Sequence, residues 1–164
     1  MPPYGSRYFA TGEGMTEEQS YEGSCLCGAV GFAIRPPTLF CGHCHCAYCR
    51  RAHGAAFVTW VGAAEGRFEL RDGQVCLVWY PSSKQSRRGF CSKCGTTLFF
   101  ASTAAPGEMH IARALIAGEI DRSPAINTFD DERVPWIHGA ADLPAYGGDA
   151  EELAHYRDIP ALEE

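Results

Sequence analysis

No stretch of this sequence approaches the roughly 18 uninterrupted apolar residues of a membrane span, so a membrane-spanning helix is not expected. The opening residues, MPPYGSRYFATGEG, have neither a charged start nor an apolar run, so they do not read as a secretory signal. Both absences lead us to expect a cytoplasmic protein without a membrane partner. Self-similarity at solenoid periods is missing too. Helical periodicity is scarce: only DAEELAHY, at 149–156, shows any, and weakly. Acidic residues are absent from two stretches, Glu22 to Glu65 and Asp72 to Glu108, although the net charge is −6. The first stretch carries Arg35, Arg50 and Arg51, and the second carries Lys84, Arg87, Arg88 and Lys93. From Glu119 onward the balance reverses, with twelve acids against three bases. Overall acidity argues against a nucleic-acid partner.

Cysteine, by contrast, is abundant. Nine occur in 164 residues: Cys25, Cys27, Cys41, Cys44, Cys46, Cys49, Cys76, Cys91 and Cys94. An odd count without an export signal does not suit a disulfide scaffold, and C-x-C and C-x-x-C pairs lie too close to staple distant segments. In a reducing compartment such clusters are metal ligands. Thiolate-rich zinc sites are anionic, so the cations in the acid-free stretches would stabilise them.

The rest of the chain reads as short strands broken by Gly and Pro. Strands are expected at 29–34, 56–62, 67–71, 74–80, 86–90, 96–101, 108–115 and 125–129, with Asp72-Gly73 as a hairpin turn. Residues 1–20, rich in Gly, Ser and Glu, read as a disordered leader, and 147–164 as an acidic tail. Between them, 21–146 is expected to be one small, mainly β, antiparallel domain.

Three cysteine motifs carry the chemistry. In GSCLCG, Cys25 and Cys27 are two apart and would share a face if the segment is extended. In FCSKCG, Cys91 and Cys94 form C-x-x-C, and the following Gly95 permits a positive φ beyond the second ligand. The two pairs together make a closed Cys₄ site, the structural kind. In CGHCHCAYC, Cys44, Cys46 and Cys49 can wrap one ion and leave its fourth position open, the catalytic pattern. Cys41 is a competing fourth ligand that would close this site. Cys76 stands alone in an apolar run and reads as a small core residue. His43, His45 and His53 lie near the second motif, where a supporting hydrogen-bond role competes with ligation or acid–base work.

Residues 23–28, 44–51 and 90–96, in that order, resemble the glutathione-dependent formaldehyde-activating enzyme family, which shares its domain with centromere protein V. The stretch VPWIHGAADLPAY at 134–146 resembles the end of that domain. The resemblance implies a β-tent, antiparallel sheets pinned by zinc, with two Zn²⁺: a structural one on Cys25, Cys27, Cys91 and Cys94, a catalytic one on Cys44, Cys46 and Cys49. It implies carbon–sulfur lyase chemistry, the joining of formaldehyde to glutathione or of another small aldehyde to another thiol. His45, Tyr48 and His53 are then the candidates for proton transfer. Arg50 and Arg51 are the candidates for holding a substrate carboxylate, with Arg87 and Arg88 as further possibilities. Two other readings compete: a non-catalytic zinc module, and a redox switch using Cys41 or Cys76. The sequence defines no oligomeric state.

Overall fold

The computed structural model describes residues 19–138 and 143–154. The expected leader therefore lies outside the described residues except for Gln19 and Ser20. The chain separates into two units, Met1–Arg133 and Val134–Glu164. In the second, the described residues form two single 3-10 turns, Pro135–Ile137 and Glu151–Leu153. The second turn falls within the expected helix, whose remainder from residue 155 is not described.

The first unit is mainly β. A three-stranded sheet has the order β1 (Tyr21–Ser24), β2 (Gly31–Ile34), β5 (Phe68–Asp72). Seven strands make the larger sheet. From one edge they are β10 (Asn127–Thr128), β3 (Phe40–Cys44), β4 (Val58–Ala64), β9 (Glu108–Ala112), β8 (Thr97–Ser102), β7 (Ser86–Cys91) and β6 (Leu77–Pro81). Every pairing is antiparallel except β10 on β3, which is parallel. Among the described residues of this unit the one α-helix is α1 (Ala47–His53), seven residues long, between β3 and β4.

Side chains alternate across a strand, so the large sheet buries two different faces. One face meets the small sheet. There Phe32 and Phe68 of the small sheet set their rings edge-on to Phe99 of β8, with centroids 5.3 and 5.1 Å away. Val61, Leu98, Ile111 and Cys41 fill the same core. The other face carries a smaller cluster of Cys44, Cys49, Val58, Trp60 and Ala112 beneath α1. The two cysteine groups divide between these two faces.

The expected hairpin at Asp72-Gly73 is not one. β5 pairs with β2 and β6 pairs with β7, so this turn carries the chain from the small sheet to the edge of the large one. Gly73 has φ +83°, and a Cβ there would lie 2.0 Å from the Ala29 carbonyl oxygen. Glycine is needed for both reasons. The stretch expected as one strand at 108–115 ends at Ala112 and tightens into a 3-10 turn over Arg113–Leu115.

Candidate metal centres and active site

The first cysteine group bridges the two sheets. Cys25 and Cys27 sit not in an extended segment but in the turn that leaves β1, closed by the Gly28 N–H donating to the Cys25 carbonyl at 3.0 Å. Curling the chain, rather than alternating it, brings the two sulfurs to 3.6 Å. Cys91 ends β7 and Cys94 lies in the turn into β8, where the Gly95 N–H donates to the Cys91 carbonyl at 2.8 Å. Gly28 and Gly95 both take positive φ, +75° and +73°, so each pair is followed by a left-handed glycine. The four Sγ atoms lie within 4.8 Å of one another, with Cys27 and Cys91 3.9 Å apart. Burial pushes the Cys25 thiol up to about 12. At Cys94 burial acts the same way, but hydrogen bonds from Thr96 and Cys27 outweigh it and bring the thiol down to about 5.

The second group lies on the other face. Cys44 ends β3, Cys46 caps α1, and Cys49 is in its first turn. The Cys46 sulfur accepts from the Cys49 N–H at 3.4 Å, as a serine oxygen would at a helix start. Glu132 accepts from the Ala47 N–H at 2.7 Å, placing an acid at the positive end of the helix. Gly54 ends the helix in the left-handed conformation. Cys44 and Cys46 Sγ are 3.5 Å apart, and all three sulfurs fall within 4.8 Å. Cys49 collects donors: the Trp60 indole N–H at 3.4 Å and Arg88 Nη2 at 3.6 Å. A hydrogen bond from Cys44, then those from Trp60 and Arg88, bring the Cys49 thiol down to about 5 against the opposing effect of burial. Cys44, the donor in that pair, is pushed the other way, by the bond to Cys49 and by burial.

Both donor sets suit zinc. A tetrahedral ion with Zn–S bonds of about 2.3 Å holds its sulfurs about 3.8 Å apart. Three of the sulfur pairs, at 3.5, 3.6 and 3.9 Å, lie close to that value, and the rest fall within 4.8 Å. Cys41 is not a member of the second group. It is three residues before Cys44 on one strand, so it points through the sheet into the opposite core. Among the described residues no fourth His, Cys, Asp or Glu joins Cys44, Cys46 and Cys49.

A cavity of about 480 Å³ opens over these three sulfurs. Phe40, Trp60, Phe100 and Phe129 supply much of its wall, and Tyr48, Thr128 and Arg88 contribute polar atoms. Of the sequence-derived candidates for proton transfer, Tyr48 lines the cavity. His45 is 2% exposed behind it, its Nε2 3.1 Å from Asn127 Oδ1. His53 packs edge-on against Trp60 at 5.2 Å, its Nε2 buried without a partner. Arg50 Nε donates to the His45 carbonyl at 2.8 Å, and Arg51 is exposed; neither lines the cavity.

Arg88 does, and it is 8% exposed. Its guanidinium lies over the Phe100 ring at 5.0 Å, and Nη1 is buried without a partner. Adjacent Arg87 faces away and stacks on Trp79 at 4.5 Å. Strand parity separates the two arginines. The signal in the sequence was the pair itself, inside an acid-free stretch that also carries a cysteine motif.

Comparison with known proteins agrees with this geometry. Over 85 residues, 51% of this chain and 58% of the relative, it is 36% identical to an uncharacterized lyase of Schizosaccharomyces pombe. The chain thus spans little more than half the length of that relative. A putative glutathione-dependent formaldehyde-activating enzyme of Halomonas elongata is 23% identical over 123 residues, covering 71% of this chain and 78% of that protein. In fold, a Rhodobacter sphaeroides protein of known crystal structure matches with a TM-score of 0.52 at 24% identity, over 62% of this chain and 92% of that one. The family model described as glutathione-dependent formaldehyde-activating enzyme matches residues 20–132, which include both cysteine groups, and the chain belongs to that family.

Proposed function

We propose that this protein is a carbon–sulfur lyase that makes and breaks the adduct of a thiol with a small aldehyde, S-(hydroxymethyl)glutathione being the adduct the family name suggests. One observation carries the reading. Of two cysteine groups, one is complete with four sulfurs, while the other offers three at the floor of a cavity. A closed site holds structure; a three-ligand site leaves room for substrate.

Zinc in the three-sulfur group would supply a positive centre that keeps a substrate thiol deprotonated at neutral pH. The chain's own residues do the rest. Trp60 and Arg88 donate to the Cys49 sulfur, which limits its basicity and holds it in place. As the substrate sulfur forms its bond to the aldehyde carbon, the C=O π pair moves to oxygen. The Arg88 guanidinium, fixed in the cavity wall, meets that negative charge as a preorganised cation. Tyr48 hands the alkoxide its proton. In the lyase direction the steps reverse: Tyr48 takes the hydroxyl proton, the C–S bond breaks with its pair on sulfur, and aldehyde leaves. His45, buried against Phe57, and His53, half-buried against Trp60, position the β3–α1 segment around the ligands.

The test is exchange of ¹³C-formaldehyde with its glutathione adduct, followed by NMR with zinc-loaded protein. Wild type should accelerate exchange. Arg88→Leu should lower kcat by about 10²-fold, the usual effect of losing one oxyanion donor, with both zinc ions retained. No acceleration with any thiol–aldehyde pair would refute the proposal.

A further inference from the structure

We infer that the natural substrate is the adduct of an apolar thiol, one with a body the size of an aromatic ring, rather than of a small or highly charged one. The inference rests on the lyase reading above and specifies what that site accepts.

The wall of the cavity is the first ground. Phe40, Trp60, Phe100 and Phe129 present ring surface, and Ile126 adds an aliphatic patch. Among the described residues Arg88 is the one arginine in the lining and no lysine or acid accompanies it; the lining His110 has its Nε2 3.0 Å from Glu108. Glutathione brings two carboxylates and an ammonium group. A single guanidinium, already donating to Cys49 and stacked on Phe100, matches one carboxylate, and the hydroxyls of Tyr48, Ser82, Ser83, Ser86 and Thr128 carry no charge to pair the remaining ionic groups. An apolar body carries no such cost, and its single adduct oxygen is matched by the one guanidinium of the lining, that of Arg88.

The rim is the second ground, and it is independent of the charge count. Tyr48, Ile126 and Phe129 line the cavity yet are 68%, 43% and 57% exposed. Apolar groups gathered at one mouth, not scattered, mark a surface that something covers. Phe129 is the non-glycine residue with positive φ among the described residues, at +54°. A bulky side chain rarely takes that conformation, and its exposure gives no packing return within the fold. The conformation does set the ring at the cavity mouth, where an apolar ligand would bury it.

The experiment measures kcat/KM of the zinc-loaded full chain for the formaldehyde adducts of phenylmethanethiol, 2-mercaptoethanol and glutathione, with equilibrium binding of the three free thiols alongside. The phenylmethanethiol adduct should exceed both others by at least about tenfold, and the binding order should match. Phe129→Ser should reduce that preference severalfold. If the glutathione adduct is the best substrate, the inference is overturned while the lyase reading stands. If no adduct is turned over, the lyase reading falls, and the binding order alone judges the apolar preference: equal affinities would overturn it.

Discussion

Replacing one sulfur in each cysteine group should separate structure from chemistry. Cys91 is fully buried, and its group joins the turn after β1 to the β7–β8 turn, so it pins one sheet to the other. A structural zinc contributes on the order of 10 kcal/mol, roughly a quarter of which rests on each ligand. In Cys91→Ser that share, about 2.5 kcal/mol, goes. The buried hydroxyl left without a full partner costs about 1–3 kcal/mol more. The sum, about 3.5–5.5 kcal/mol, approaches the lower end of the total stability of an ordinary domain. At about 2–4 °C per kcal/mol for a chain of this size, the melting temperature should fall by roughly 7–22 °C. Cys46→Ser differs in kind. Its group spans six residues of one β3–α1 connection, so little chain entropy depends on it. Serine is also a better helix cap than cysteine, so α1 keeps its start. That variant should melt within a few degrees of wild type but lose one of two zinc ions and all adduct turnover. Native mass spectrometry, thermal melts and the exchange assay on the three proteins give the comparison. The reasoning fails if Cys46→Ser unfolds while Cys91→Ser stays folded and active, or if wild type binds a single ion.

Two further substitutions probe the frame. Gly73→Ala should destabilise by about 2–4 kcal/mol, since it adds a Cβ 2.0 Å from the Ala29 carbonyl oxygen at φ +83°; a chemical melt showing less than 1 kcal/mol would mean the sheet-to-sheet turn adjusts freely. Burial against Trp60, then the Arg88 charge, push the His53 imidazole down to about 4. The folded state therefore binds fewer protons than the unfolded one between about pH 6.5 and 4. Stability from this source is complete above pH 6.5 and is lost as pH falls to 4, by about 2 kcal/mol after discounting for the half-buried ring's contact with solvent. His53→Phe should lack that component. The two proteins share every cysteine, so acid release of metal cancels in the difference; identical pH profiles would refute the assignment.

The cysteine groups were legible because their ligands are spaced by local turn geometry, which a sequence displays directly. Gly28 and Gly95 show it best, each following a ligand pair and each left-handed. Most strands were legible too, from Val58–Ala64 to Thr97–Ser102, through their apolar runs. β1 and β3 were not. YEGS has no apolar alternation, and FCGHC reads as ligands before it reads as a strand. α1 escaped because seven residues with two arginines carry no amphipathic stripe; its cap and its final glycine sustain it. The Asp72-Gly73 error is instructive. The dipeptide specifies a tight turn, but which strands pair is a tertiary matter, and β2 and β7 claimed the two flanking segments. Arg88 was visible only as half of an arginine pair, since no local pattern tells which of two neighbours faces the Cys49 sulfur.

Strand parity also settles the difference between the two cysteine groups. In the sequence, Cys41-x-x-Cys44-x-Cys46-x-x-Cys49 offers four thiols, enough for a closed and inert site. Once β3 forms, Cys41 pairs across from Val61 and Cys44 from Val58, and an odd separation of three sends the two sulfurs to opposite faces. Cys41 enters the core between the sheets and Cys44 the cluster under α1. The chain reunites Cys44 with Cys46 and Cys49 only because β3 stops there and a helix cap begins two residues later. A strand one residue shorter would free the Cys44 sulfur from its position, and an even spacing would bring Cys41 onto the same face. That Cys41 does not join the three-sulfur group, the condition on which the proposed lyase chemistry depends, follows from the register of one five-residue strand.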